Sequence, residues 1–134
     1  MEFKTIQGIP KRLKRPRRYI IDWDAGSRSK LQKKVKDAIW GLWKYDVVFE
    51  EFPIVGTRLS LDFFNATTNV AIEVQGNQHT KFVKFFHRSK SNYLDQINRD
   101  VKKADFCEVN DIELLEIFED DFDIPELLSV INAT

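Results

Sequence analysis

Two β-type runs joined by a polar link constrain the fold of this chain more than any other stretch. Residues 59–64 have the sequence LSLDFF and residues 70–74 the sequence VAIEV, so both are rich in residues that favour strands. The link between them, residues 65–69 (NATTN), consists largely of turn-forming residues. The stretch therefore predicts a β-hairpin, and pairing of its strands brings Asp62 close to Glu73.

The predicted proximity of Asp62 and Glu73 requires a compensating partner. Two carboxylates that meet in a half-buried sheet repel each other, and burial also disfavours their charged forms. A hard divalent cation such as Mg²⁺, which takes oxygen ligands, is a usual compensation. Gln75 follows Glu73 by two residues and therefore projects from the same face of the strand. The alternative is that one carboxylate faces solvent and the other is a satisfied edge residue.

The rest of the chain predicts alternating helical and extended segments. A helix capped by Ser27 or Ser29 runs to about Lys44, since apolar residues recur along one of its faces. The remaining elements are strands at 47–52, 59–64 and 70–76, a helix at 93–104, a strand at 112–118 and a closing helical segment at 125–131. This order, helix, three strands, helix, strand, predicts a mixed central sheet flanked by helices, an α/β arrangement of the α+β type.

The composition indicates one globular domain. A chain of 134 residues is long enough to bury a core. The single cysteine, Cys107, excludes an internal disulfide and suits a reducing compartment, and two histidines are too few for a typical structural zinc site. The sequence has no run of about 18 apolar residues and no signal peptide, so we expect a soluble, cytoplasmic protein without a membrane partner (in the host cytoplasm if phage-encoded).

The zero net charge conceals a strong asymmetry along the chain. Residues 1–46 hold 13 Lys and Arg against 5 Asp and Glu, whereas residues 106–134 hold 9 acidic residues and no basic ones. This distribution predicts a polyanion-binding front and an acidic C-terminal segment. We divide the chain into a basic flexible arm, residues 1–18, and a single domain, residues 19–134. The arm is expected to follow nucleic-acid phosphates, the alternatives being a solvated tail or an address signal.

Four pieces of the sequence, in order, resemble the PD-(D/E)XK nucleases. They are Asp62-Phe63, Ile72-Glu73-Val74-Gln75-Gly76-Asn77-Gln78-His79, Arg99-Asp100-Val101-Lys102-Lys103 and Asn110-Asp111-Ile112-Glu113-Leu114. The chain is most similar to the branch that contains very-short-patch-repair, phage-type and homing endonucleases. The resemblance implies a restriction-endonuclease-like αβββαβ core and a Mg²⁺-dependent DNA endonuclease of phage or mobile-element type.

The same resemblance implies roles for individual residues. Asp62, Glu73 and the carbonyl of Val74 would hold Mg²⁺, or Mn²⁺ in its place. Gln75 would orient water or a phosphate oxygen, and His79 would act as a general acid or base.

Two positions depart from the family pattern. Gln75 stands where a Lys is common, and Gln32 stands where the first helix often carries Glu. Lys81 or Lys84 is expected to supply the missing cation.

DNA is the expected partner, and a homodimer is a further possibility. The residues predicted to contact DNA are Lys11, Arg12, Lys14, Arg15, Arg17, Arg18, Lys33, Lys81, Lys84, Arg99 and Lys103. Lys33 belongs to a set of helix lysines, with Lys30, Lys34 and Lys36, that faces either solvent or phosphate.

Three alternatives to a simple endonuclease remain. The first is a branched-DNA (Holliday junction) resolvase, which needs two active sites and hence a dimer. The second is a catalytically inactive nuclease fold that binds nucleic acid. The third is an assembly protein whose oppositely charged ends pair between subunits.

Overall fold

The computed structural model describes residues 1–75, 90–118 and 124–133, and of residues 90–97 it describes the backbone alone. The strands in these ranges are β1 (Glu2–Lys4), β2 (Pro10–Arg12), β3 (Val48–Pro53), β4 (Ser60–Asn65), β5 (Val70–Gln75) and β6 (Glu113–Phe118). The α-helices are α1 (Lys30–Trp43), α2 (Lys90–Val109) and α3 (Ile124–Ala133), and a 3₁₀ turn spans Pro16–Tyr19.

The central sheet of the described residues has four strands in the order β3-β4-β5-β6. The first three pair antiparallel, and β6 pairs parallel with β5 after the chain crosses over through α2. A parallel neighbour needs such a crossover, because a tight turn can only reverse the chain. The predicted α+β class, with a mixed sheet flanked by helices, is therefore confirmed. The more specific restriction-endonuclease-like core stays a prediction.

Helix α1 begins where the sequence predicts. The Ser29 hydroxyl accepts a hydrogen bond from the backbone N–H of Gln32 (3.1 Å) and so caps the helix. Val35, Ile39 and Trp43 lie one turn apart and are buried against the sheet. The expectation that Lys36 faces solvent or phosphate is wrong, because its side chain is fully buried.

Two apolar cores lie on opposite faces of the central sheet. One joins β3–β5 to the C-terminal part of α2 through residues such as Phe52, Phe64 and Phe106. The other joins the sheet to α1 and α3 through residues such as Ile39, Ile72 and Leu127. Because both faces are covered, apolar residues are expected along the middle strands, and each buried polar residue within them (Asp62, Asn65, Glu73 and Gln75) needs a particular reason.

Residues 1–18 do not form the extended arm that their charge predicts. Strands β1 and β2 pair as an antiparallel hairpin, and Phe3 packs in T-shaped geometry against Phe52, with ring centroids 5.5 Å apart. Leu13 is buried in the same core. Asn110, directly after α2, also holds the hairpin, since it accepts from the N–H of Lys4 (2.8 Å) and donates to the carbonyl of Lys4 (2.9 Å). A few apolar side chains and one amide thus fix a segment that is otherwise largely basic.

Candidate functional site

The β4–β5 hairpin forms as predicted, with a turn stabilised by its own side chains. The side-chain Oδ1 of Asn65 accepts from the backbone N–H groups of Thr67 (2.9 Å) and Thr68 (3.1 Å). Asn69 adopts a left-handed backbone (φ 58°), which asparagine tolerates better than most residues. The strand pairs continue from Asn65 and Val70 to Phe63 and Ile72. The next residues in the same register are Asp62 and Glu73.

At Asp62 and Glu73, side-chain oxygens replace the backbone ladder between the strands. The backbone N–H of Asp62 donates to Oε1 of Glu73 (2.8 Å), and the N–H of Val74 donates to Oδ2 of Asp62 (2.8 Å). Both carboxylates are almost fully buried, with 1% and 2% exposure. The hairpin therefore brings the two acids together at the point where β4 and β5 separate.

Each carboxylate also has its own cation. Arg28, in the loop before α1, donates from Nη2 to Oδ1 of Asp62 (2.9 Å). Lys103 of α2 places Nζ 2.8 Å from Oε2 of Glu73. The arginine side chain is 61% exposed, whereas the lysine is 15% exposed. The Arg28 side chain therefore lies largely in solvent, whereas the Lys103 side chain is packed beside the acids.

Burial dominates the protonation of both acids. Removal from water raises the pKa of Asp62 above its ordinary value, opposed by the Val74 N–H bond and by Arg28. Burial and, next, the charge of Asp62 raise the pKa of Glu73 to about 7, although Lys103 opposes this. Burial thus outweighs the positive charge that Arg28 and Lys103 supply.

A second polar cluster supports the first from α1 and β3. The Gln32 amide donates to Oε2 of Glu50 (2.8 Å) and to Oε1 of Glu51 (3.0 Å). The buried Nζ of Lys36 pairs with the other oxygen of Glu50 (2.9 Å). Ser27 donates to Glu50 as well (2.7 Å). A glutamate at position 32 would have no proton to offer these carboxylates, which explains in physical terms why glutamine fits there.

The left-handed backbone of Glu51 is what allows one amide to reach both glutamates. Consecutive residues of a regular strand point to opposite faces, but Glu51 has a φ of 52° and interrupts the alternation. Its carboxylate also accepts from Ser60 (3.1 Å) and lies 3.7 Å from Nη1 of Arg28. The kink therefore turns Glu51 toward the Asp62 site.

Glu73 lines an open groove of about 390 Å³, here called the main groove, and Asp62 adjoins it through Arg28, which also lines it. Four cationic and two acidic side chains contribute to its walls, together with polar and apolar residues from β4 and β5. The lining residues are Arg28, Arg58, Leu59, Ser60, Glu73, Val74, Gln75, Arg99, Asp100 and Lys103. A concave surface with this excess of positive charge suits an anionic chain.

Two further grooves share residues with the main groove. Arg28 also lines a second groove, which contains Arg18 and Glu50. Arg58 and Arg99 also line a third groove, which contains Lys102. Cationic side chains therefore follow a continuous path across the site.

The predicted DNA-contacting residues are distributed unevenly around this path. Arg99 and Lys103 line the main groove and Arg18 the second groove. The other predicted arm residues are exposed on the N-terminal hairpin or the 3₁₀ turn and line none of the three grooves: Lys11, Arg12, Lys14, Arg15 and Arg17. Lys33 pairs instead with Asp37 on its own helix (2.8 Å). Lys81 and Lys84 lie outside the described residues.

Of the two residues predicted to assist catalysis, Gln75 and His79, the structure describes Gln75 alone. Gln75 is buried beside the groove, and its amide lies 3.5 Å from Oδ1 of Asp100 on α2. Gln75 and Glu73 thus face the same helix, as their two-residue spacing predicts. His79 lies outside the described residues. Sequence reasoning missed Arg28 and Arg58, because single arginines in loops carry no periodic signal.

The donor chemistry of the acid pair fits a small divalent cation. The described residues contain no group of three or more His, Cys, Asp or Glu side chains arranged to hold a metal ion. Mg²⁺ commonly uses one or two carboxylates, with water and substrate oxygens as its other ligands. Each oxygen of Asp62 and Glu73 accepts one described hydrogen bond or ion pair and retains a second lone pair.

Comparison with known proteins finds viral relatives without an assigned activity. The chain is 40% identical over 65 residues to an uncharacterized protein, 033L, of Invertebrate iridescent virus 3, a match that covers 48% of this chain and 34% of the relative. It is 33% identical over 71 residues to protein 307L of Invertebrate iridescent virus 6 (53% and 36%). It is 35% identical over 66 residues to protein 094L of Frog virus 3 (48% and 43%).

The chain therefore spans less than half the length of these curated relatives. No protein-family model and no solved structure matches it.

Proposed function

We propose that the protein is a divalent-metal-dependent endonuclease that hydrolyses phosphodiester bonds in DNA. The observation that carries this proposal is the placement of two buried, adjacent carboxylates, Asp62 and Glu73, beside a groove with four cationic side chains. A groove for a neutral or cationic ligand would not need that charge. An acid pair with a purely structural role would not need to adjoin an open groove.

The protein's own residues divide the chemical task. Arg58 and Arg99, which line the main groove, would bind backbone phosphates, and Lys103 holds the Glu73 carboxylate in place. Gln75 can orient a water or phosphate oxygen by hydrogen bonding, but it cannot exchange a proton. A cation held by Asp62 and Glu73 would polarise the phosphate and acidify a water.

One observation favours a second candidate, a nuclease fold that binds nucleic acid without cleaving it. Arg28 and Lys103 already pair with the two acids, and the position that often carries a catalytic lysine is Gln75. In that case the acid pair would be structural and the grooves alone would be functional. Binding would then be unaffected by Mg²⁺.

A cleavage assay distinguishes these functions. Wild type, Asp62→Asn and Glu73→Gln are incubated with supercoiled plasmid and with a synthetic four-way junction, in Mg²⁺, Mn²⁺ or EDTA. We expect metal-dependent cleavage by wild type, its loss in both variants and nearly unchanged DNA binding. Cleavage retained by both variants would remove the site. Binding without cleavage in either metal would favour the inactive fold, and preference for the junction would favour a resolvase.

We also propose that the protein acts inside the infected cell, in the host cytoplasm. The relatives are viral proteins, and none of the described helices combines the length and apolar character needed to cross a membrane.

A further inference from the structure

Arg28 lies between the buried acids and solvent, on a backbone that is fixed on both sides. The preceding residue, Ser27, donates to Glu50 (2.7 Å), and the following residue, Ser29, caps α1. The guanidinium reaches Asp62 at 2.9 Å and approaches Glu51 at 3.7 Å, yet the side chain is 61% exposed. Its backbone is therefore positioned while its charged end is free to move into the groove.

The charges around the site explain why this contact would be exchangeable. Asp62, Glu73 and Glu51 are three carboxylates, and the cations that contact them are Arg28 and Lys103. If Arg28 withdraws, the ionised acids and Lys103 leave a net charge of −2. A divalent cation neutralises that charge, whereas a divalent cation added beside Arg28 would leave an excess positive charge in a buried site.

We infer that Arg28 is an exchangeable counter-ion, which pairs with Asp62 and Glu51 in the metal-free protein and turns to a substrate phosphate when the acids take a divalent cation. This inference rests on the proposed function. Arg28 suits both positions because it lines the main groove and the second groove. The planar guanidinium can donate two parallel hydrogen bonds to a carboxylate or to a phosphate, so the same group suits either partner.

Lys103 differs from Arg28 in the features that make exchange possible. It is only 15% exposed and contacts the other acid, Glu73, at 2.8 Å. Its removal would leave a buried carboxylate unpaired, whereas removal of Arg28 opens a position that a metal ion can fill. Arg28 thus links metal binding to substrate binding, and Lys103 keeps the site intact in both states.

Calorimetric titration of Mn²⁺ into the DNA-free protein at pH 8 tests this inference. The proteins are wild type, Arg28→Met, Arg28→Lys and a matched control, Arg58→Met, which removes a groove arginine that contacts neither acid in the described structure. We expect Arg28→Met to bind Mn²⁺ about tenfold more tightly, because no charge-assisted hydrogen bond must be broken first. Arg28→Lys and Arg58→Met should bind it like wild type.

DNA binding supplies the second readout, with a short duplex in EDTA or in Ca²⁺. Arg58→Met should weaken binding in both conditions. Arg28→Met should weaken it only in Ca²⁺, since without metal the guanidinium remains on Asp62. Unchanged or weaker Mn²⁺ binding by Arg28→Met, beside clear binding by wild type, would overturn the inference alone. Absence of Mn²⁺ binding by all four proteins would overturn it together with the proposed metal site.

Discussion

Replacing Glu73 by Gln should remove a pH dependence that this side chain imposes on stability. Burial and the neighbouring Asp62 raise the pKa of Glu73 from its ordinary 4.5 to about 7. Between these values the folded protein binds more protons than the unfolded chain. The contribution of Glu73 to the free energy of unfolding is therefore most favourable below pH 4.5, and this advantage is lost as the pH rises through 7.

The size of the effect follows from the difference between the two pKa values. A difference of about 2.5 units corresponds to about 3 kcal/mol, and Glu73 is only 2% exposed, so solvent screening is small. The glutamine is neutral at every pH and keeps an oxygen that can accept from the N–H of Asp62. We expect the stability of Glu73→Gln relative to wild type to rise by about 3 kcal/mol between about pH 4.5 and pH 8.

Urea unfolding followed by far-ultraviolet circular dichroism, in EDTA, measures this difference at several pH values. Glu116→Gln controls for the loss of one carboxylate, because Glu116 lies opposite Glu73 on β6 but is exposed. Parallel stability profiles for wild type and Glu73→Gln would refute the assignment of a raised pKa to this acid.

Three other substitutions test separate parts of the structure. Lys103→Met should cost about 3 kcal/mol at pH 8, where Glu73 loses its ionic partner, and less at pH 5, where Glu73 is already protonated, so equal losses in urea unfolding would contradict the pairing. Gln32→Glu should destabilise by about 2 kcal/mol or more at pH 8, because it adds a buried carboxylate beside two others; an unchanged melting temperature would count against that cluster. Asn110→Ala should cost about 1–2 kcal/mol and speed amide hydrogen exchange across residues 2–12, whereas unchanged exchange would mean that the amide does not hold the hairpin.

The parts of the fold that were predictable from sequence are those with local signals. The turn at residues 65–69 is determined locally, because the Asn65 side chain accepts hydrogen bonds from backbone N–H groups within the turn. Helix α1 has a serine cap and a clear apolar face. The pairing of Asp62 with Glu73 follows from these local features, because the length of the turn fixes the register of the two strands.

The parts that were not predictable depend on contacts between distant segments. The basic N-terminal segment is ordered because Phe3 and Leu13 reach the core, and two apolar residues among many charges give no pattern. Lys36 is buried because Glu50, on another element, pairs with it. The left-handed backbone at Glu51 was likewise not predictable, because that conformation is typical of glycine and asparagine and not of glutamate.

The arginines of the main groove show the same limit for function. Arg28 and Arg58 stand in loops, so neither belongs to a periodic pattern, and only the folded chain brings them beside the acids. By contrast, Arg99 and Lys103 were identified because they belong to a motif with fixed spacing on a helix. Sequence thus indicated the acids and half of the cations around them.

The central claim is that Asp62 and Glu73 hold a divalent cation. Its most direct test is an anomalous difference map, at the manganese absorption edge, from crystals grown at pH 8 with millimolar Mn²⁺. We predict a peak about 2.2 Å from one oxygen of each carboxylate. A map without a peak between the two acids would contradict the claim and favour the second candidate, a nuclease fold without a metal site.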